Sequence, residues 1–276
     1  MTTASVLDEL RLRAVAGDAA ALNALCRELA APVFRLCLRM LGHTGDAEDA
    51  AQDILVKVVT HLSQFDGRSA LMTWVHTVAV RHVLAAKKSR AELRPIDEAA
   101  FSALLDQGLA YGAAQAPAPT PEDRTLAREV RLSCTQGMLL VLSRDERLAL
   151  VLVDLLGLDG AEAAVVVEVT HDAFRQRLAR ARARLGAFLE AKCGLVSKNA
   201  ACRCEKQVPA KTAMGKQLRL LPLVSGDRLP PPVDARLAQD ELRHLRAVVD
   251  AFHEDGSFAA PEALYARVTA LLPSLV

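Results

Sequence analysis

The chain has 276 residues, with 34 lysines and arginines against 33 aspartates and glutamates, a formal net charge of +1, and six cysteines. That length accommodates two small domains and an appendage, and the near-zero balance excludes a global basic field, so any attraction to nucleic acid is local. No run of about 18 apolar residues predicts a membrane span, and Asp8 and Glu9 stand where a signal peptide is basic and then apolar, so a cytoplasmic location is expected. Leu, Ala and Arg recur at helical spacing nearly throughout, which predicts an all-α protein.

Residues 6–29 read as two helices broken at Gly17-Asp18, and residues 33–41 as a third, with Pro32 in its first turn and Gly42 as its stop. Cys26 and Cys37 sit among apolar neighbours and read as core. An acidic helix follows over residues 45–62, with Asp46 as its expected cap. Capping and the helix dipole account for Asp46 and Glu48. They do not account for Asp49, Gln52 and Asp53, which continue along one side while Ala50, Ile54 and Val58 fall on another. Beyond the Asp66-Gly67 turn, Ser69 is a candidate cap for a helix carrying Trp74, Val78 and Arg81, and the basic run Lys87-Lys88-Ser89-Arg90 ends it. Trp74 reads as a core anchor, and His76 and His82 as surface groups rather than metal ligands.

Residues 113–122 are Pro/Ala-rich and predict an extended or disordered connector, with a short helix within residues 96–109. Two closely spaced helices then stand at residues 160–169 and from Thr170 onward. Thr170 is a good N-cap. Phe174, Leu178, Ala181 and Leu185 share the face a core would cover, Gln176 and Arg180 lie opposite, and Arg175, Arg177, Arg182 and Arg184 flank the stripe. Two helices joined this tightly, the second rich in arginine, read as a helix-turn-helix whose second helix enters the major groove. A solvated amphipathic helix is the alternative; the lack of an acid between Phe174 and Gly186 argues against simple salt-bridge lacing.

Leu142-Ser-Arg-Asp-Glu-Arg-Leu-Ala-Leu150, Gly160-Ala-Glu-Ala-Ala164 and the run Phe174–Leu185 resemble region four of bacterial sigma factors, in the style of the extracytoplasmic-function group of the sigma-70 family. Asp46-Ala-Glu-Asp49 with Gln52-Asp53 resembles region two, in the family's order. The resemblance implies two helical domains, region two over 1–93 and region four over 125–192, joined by a flexible linker over 94–124 and followed by a C-terminal helical extension over 193–276. It implies promoter recognition, DNA opening and transcription initiation with RNA polymerase core and promoter DNA as partners, an anti-sigma protein as a further possible partner, and no catalytic residue. In the family the acidic helix binds the clamp coiled coil of core polymerase, which assigns that role to Asp46, Glu48, Asp49, Gln52 and Asp53. The next segment melts and reads the minus-ten element, with a base flipped from the stack. Its candidate contacts are Trp74, His76, Arg81, His82, Lys87, Lys88 and Arg90; many relatives carry Asn where Arg81 stands, so promoter preference is not carried over. Thr170, His171, Asp172, Arg175, Gln176, Arg177, Arg180 and Arg184 are the candidates for the minus-thirty-five element, arginines holding phosphates. A stand-alone helix-turn-helix regulator is the competing reading, and it has no need of the acidic helix followed by a Trp-centred basic one. An enzyme ranks last, because no phosphate loop, nucleophile–His–acid set or paired His ligands stand out.

Cys193, Cys202 and Cys204 cluster directly after the arginine-rich helix, and Cys134 is a candidate fourth partner. Four thiolates suit tetrahedral zinc, although C-x8-C-x-C matches no standard finger. The other reading is redox, with Lys192, Lys198, Arg203 and Lys206 lowering the thiol pKa. Residues 209–232 read as a linker, and residues 233–253 and 260–272 as helices, the second with Pro261 in its first turn. Sigma factors of this group end near Leu189, so the extension is expected to be regulatory.

Overall fold

The computed structural model describes residues 3–86, 88–89, 92–93, 97–115, 121–214 and 260–271. They are helical throughout, save for turns and one isolated bridge between Cys193 and Cys202. The expected helix at 233–253 lies outside them.

Helix α1 spans Thr3–Val15 and α2 Ala19–Leu41. Asp18 caps α2, its carboxylate accepting from the amides of Ala20 and Ala21 at 2.9 and 3.0 Å. Gly42 ends it in the left-handed conformation at φ 68°, its N–H on the Leu38 carbonyl at 2.8 Å. The expected break before Pro32 is absent: α2 runs through it. Proline removes one intrahelical bond, and a continuous stripe of Leu25, Leu29, Val33, Leu36 and Met40, all essentially sealed from water, carries the helix across the gap. Helices α3 (Thr44–Thr60) and α4 (Leu71–Ala85) close the bundle on that stripe with Ala51, Ile54, Leu55, Val75, Ala79 and Val83. Cys26 and Cys37 are core residues, and burial pushes both thiols up, Cys26 to about 11.

The connector holds more structure than its composition predicts. Helix α5 spans Glu98–Gln115, well beyond a short helix, and buries Phe101 beside Phe188, their ring centroids 5.6 Å apart. Helix α6 spans Pro121–Val141. Its Thr135 and Gln136 are buried, Gln136 donates to the Arg39 carbonyl at 3.0 Å, and any Cβ on Gly137 would meet the Phe101 ring at 2.6 Å. The Thr-Gln-Gly triplet is therefore a joint where α6 meets both α2 and α5.

Helix α7 (Arg144–Leu150) opens on a capping box between Ser143 and Glu146 and continues through a π-turn over Val151–Leu155. Helix α8 spans Gly160–Val166 and α9 His171–Lys192. Between them Glu168 sits at φ 59°, a left-handed position where most tight helix turns use glycine. Helix α10 (Cys204–Met214) carries Pro209 inside it, where a linker was expected to begin, and packs on α5 and α6. Helix α11 (Glu262–Leu271) returns to the first bundle, against α2 and α3.

The two halves are joined by buried polar contacts. Arg147, 3% exposed, donates to the carbonyls of Leu139 at 2.9 Å and of Met40, and pairs with Glu92 at 3.1 Å. Arg144 makes a two-pronged pair with the same carboxylate at 2.6 and 2.8 Å. Burial alone would raise the Glu92 pKa; the Arg144 hydrogen bonds, the Ser89 amide and the charge of Arg147 outweigh it and hold the carboxyl at about 2.

Candidate nucleic-acid interface

The acidic helix starts earlier than its composition suggests. His43 is the N-cap of α3, its Nδ1 accepting from the Asp46 amide at 3.2 Å, so Asp46 lies in the first turn instead of capping it. Asp46, Glu48 and Gln52 are half-buried, and the Gln52 Oε1 is sealed without a partner among the described residues. Asp49 and Asp53 are exposed. Asp49 is already engaged, by Arg267 of α11 at 2.9 Å, and Asp53 lies 3.9 Å from the His82 Nε2.

On α4, Trp74 is half-buried with its ring 5.6 Å from that of Phe65, as an anchor should be. Ala70 stands at the N-cap, not Ser69, whose hydroxyl turns onto the Ala70 carbonyl. His76 corrects the sequence reading. It is 6% exposed, with both ring nitrogens buried and unpartnered among the described residues, so it is no surface group. The reason is register: His76 follows Val75 and precedes Ala79 and Val80 on the face that packs inward. Burial, and then the charge of Arg35, push its pKa down to about 4. The unfolded chain protonates such a group near 6.5, so stability from a neutral His76 is complete above that pH and is lost as pH falls toward 4. The loss is on the order of 3 kcal/mol. His76→Leu is therefore expected to flatten the fall in unfolding free energy between pH 6.5 and 4, measured by urea denaturation at stepped pH; an unchanged slope would rule this origin out.

Arg81 is exposed but paired with Glu168 of the α8–α9 turn, and Thr73 donates to Glu162 of α8. His82 is half-buried, its Nδ1 2.9 Å from the Lys57 ammonium. Lys88 is exposed, and one groove brings Asp46, Asp53, His82 and Lys88 together. Lys87 and Arg90 lie outside the described residues.

On α9 the expected stripe of Phe174, Leu178, Ala181 and Leu185 is buried. Thr170 caps the helix, its hydroxyl 3.3 Å from the Ala173 amide. His171, Asp172, Arg175, Gln176 and Arg180 stand exposed along one side. The arginines are not unlaced, as the local sequence implied: their acids come from elsewhere in the fold. Arg182 is held by Asp154 of the π-turn at 2.5 Å, Arg177 by Asp145 at 3.8 Å, and Arg184 by Glu98 and Glu146 at 3.4 and 3.7 Å. Arg175 reaches only the local Asp172, and Arg180 makes no ion pair with another described residue. The free cationic surface is thus the N-terminal half of α9, the half that meets base edges in a helix-turn-helix.

The four cysteines outside the first bundle line one pocket with Gln207 and Lys192. Among the described residues no three His, Cys, Asp or Glu side chains are placed to hold a metal ion. At Cys202 and Cys204 burial outweighs the lowering effect of the nearby cations. Lys192 is bound to Asp106 at 2.8 Å and the Arg203 guanidinium turns onto the Ala200 and Cys202 carbonyls. Burial dominates instead, raising Cys202 and pushing Cys204 up to about 11.

Known proteins place this arrangement. The family model described as sigma-70 region 2 matches residues 25–92, and that described as sigma-70, region 4 matches residues 132–185. The ECF RNA polymerase sigma factor SigC of Mycobacterium tuberculosis is 31% identical over 183 residues, covering 66% of this chain and 90% of that one. SigM of the same species is 30% identical over 181 residues, covering 66% and 83%. The sigma-E factor of Escherichia coli K12 is 29% identical over 169 residues, covering 60% and 85%. Among solved structures, the sigma factor RpoE in complex with the anti-sigma factor NepR from Bartonella quintana aligns at 21% identity with a TM-score of 0.38, over 59% of this chain and 92% of that one. A region 2 bundle followed by a region 4 helix-turn-helix defines an RNA polymerase sigma factor, which directs the polymerase to promoter DNA and starts transcription. The chain belongs to the extracytoplasmic-function group of the sigma-70 family. No described helix is long and apolar enough to cross a membrane.

Proposed function

We propose that α3 is the polymerase-binding surface, the exposed side of α4 and its basic extension the minus-ten reader, and the N-terminal half of α9 the minus-thirty-five reader. The observation that carries this reading is the separation of surfaces by charge. Asp49 and Asp53 stand exposed on the first bundle, and Arg175 and Arg180, with Gln176 between them, stand exposed on the helix-turn-helix. Residues 1–93 form the first unit and 125–192 the second, with α5 bracing the connection. The protein supplies no catalytic group of its own, because bond formation belongs to the polymerase, and it acts in the cytoplasm beside it. The role calls for no bound metal or cofactor.

The test is binding to purified bacterial core polymerase by the wild-type chain and by Asp49→Lys/Asp53→Lys. Reversing two exposed charges at a complementary surface is expected to weaken binding at least a hundredfold, each unfavourable charge contact amounting to several kcal/mol. Equal binding by a folded double variant would remove α3 from the interface.

A further inference from the structure

We propose that α11 is an intramolecular competitor of RNA polymerase, seated on α3 so that the polymerase must displace it. The inference rests on the reading of α3 given above. Leu264 and Val268 stand one helical turn apart, are 0% and 3% exposed, and insert against α2 and α3. Ala260, just before the helix, is also buried. Tyr265 lies under the Arg27 guanidinium, 5.6 Å from ring centroid to charge. Arg267 completes the seat by pairing with Asp49, one of the two exposed acids of α3.

The chemistry of the seat defines the kind of helix it takes. An acidic, partly apolar helical face takes a helix that offers apolar side chains at i and i+4 and a cation beside them, and α11 supplies that set in cis. Its energy is apolar in origin. The Arg267–Asp49 pair is well exposed on both sides, and such pairs contribute well under about 1 kcal/mol. Burying Leu264 and Val268 contributes about 1.5–3 kcal/mol each. Being part of the same chain, α11 meets its seat at an effective concentration on the order of millimolar. A modest contact therefore competes with polymerase at micromolar levels. A seat covered nine-tenths of the time weakens apparent polymerase affinity about tenfold.

The experiment measures core-polymerase affinity for five full-length or shortened chains: wild type, Leu264→Asp, Arg267→Ala, a chain ending at residue 259, and Asp49→Lys/Asp53→Lys. Leu264→Asp and the truncation are expected to bind about tenfold more tightly than wild type, and Arg267→Ala no more than about threefold, in keeping with the small energy of its pair. Circular dichroism and thermal unfolding confirm that each variant retains the first bundle. If the Asp49/Asp53 variant loses binding while Leu264→Asp and the truncation bind no better than wild type, the competitor role is overturned and the reading of α3 stands. If the Asp49/Asp53 variant binds as wild type does, the reading of α3 fails, and the competitor role fails with it.

Discussion

Replacing Arg147 with Met is expected to lower the unfolding free energy by about 3–5 kcal/mol, the range for breaking a buried ion pair from one side. The residue is 3% exposed and serves four acceptors: the Leu139, Met40 and Leu142 carbonyls and the Glu92 carboxylate. Removing the guanidinium takes a charged donor from three carbonyls, of which Leu139 keeps the Leu142 amide at 3.2 Å, and leaves Glu92, whose side chain is 7% exposed, to Arg144 and the Ser89 amide. For a domain of this size the expected fall in melting temperature is about 10 °C or more. Arg144→Met is expected to cost less, because Arg144 is 25% exposed and its place is open to water. The same join has a pH signature. Glu92 has a folded pKa held at about 2 against an ordinary value of 4.5, so its contribution is complete above 4.5 and is lost as pH falls through 2. Thermal scans of both variants at neutral pH and at pH 3 check the order and the direction; a stable Arg147→Met chain would show that the two halves do not meet as described.

On α9 the exposed residues are expected to separate by mechanism. Arg175→Ala/Gln176→Ala/Arg180→Ala should weaken promoter binding at least a hundredfold. In the proposed reading Gln176 contacts a base edge, where a good bidentate contact is worth about 1–3 kcal/mol and its loss relaxes specificity at one position. In the same proposal Arg175 and Arg180 neutralise phosphates, so each single alanine variant should weaken all sequences alike and reduce the salt slope by about 1. Arg182→Ala should behave differently. Its guanidinium is locked to Asp154, whose side chain is 8% exposed, so the change lowers stability and leaves the salt slope untouched. Titration of a promoter fragment across salt concentrations distinguishes the two groups; a salt slope lost with Arg182 and kept without Arg180 would reverse the assignment.

Much of this was legible in the chain itself, because it depended on local rules. The apolar stripe of α9, the Thr170 cap, the Gly42 stop and the burial of Cys26 and Cys37 follow from helical period and cap chemistry, and the structure has each of them. What escaped was set at a distance. Arginines that lack acids within α9 find Asp145, Asp154, Glu98 and Glu146 on other elements. His76 read as a surface group, yet its position on α4 turns it inward. The lysines and arginines near the cysteines offered one route to activated thiols; in the fold Lys192 pairs with Asp106, and burial outweighs Arg203 at Cys202. Residues 96–109 read as a short helix and 113–122 as an extended connector from their Pro/Ala content, whereas α5 runs over Glu98–Gln115, held from two sides by α6 and by α10. Arg267 on Asp49 joins residues 218 apart and had no sequence signal at all.

The central claim is that this protein selects where RNA polymerase begins. The most direct measurement maps transcript 5′ ends made by core polymerase on fragmented genomic DNA, with and without the protein, using both the wild-type chain and the chain ending at residue 259. The expected result is a new set of start sites that share two short upstream sequence blocks and that Asp49→Lys/Asp53→Lys abolishes. A folded protein that binds duplex DNA yet adds no start sites with polymerase, in either form, would contradict the claim and leave a stand-alone DNA-binding regulator.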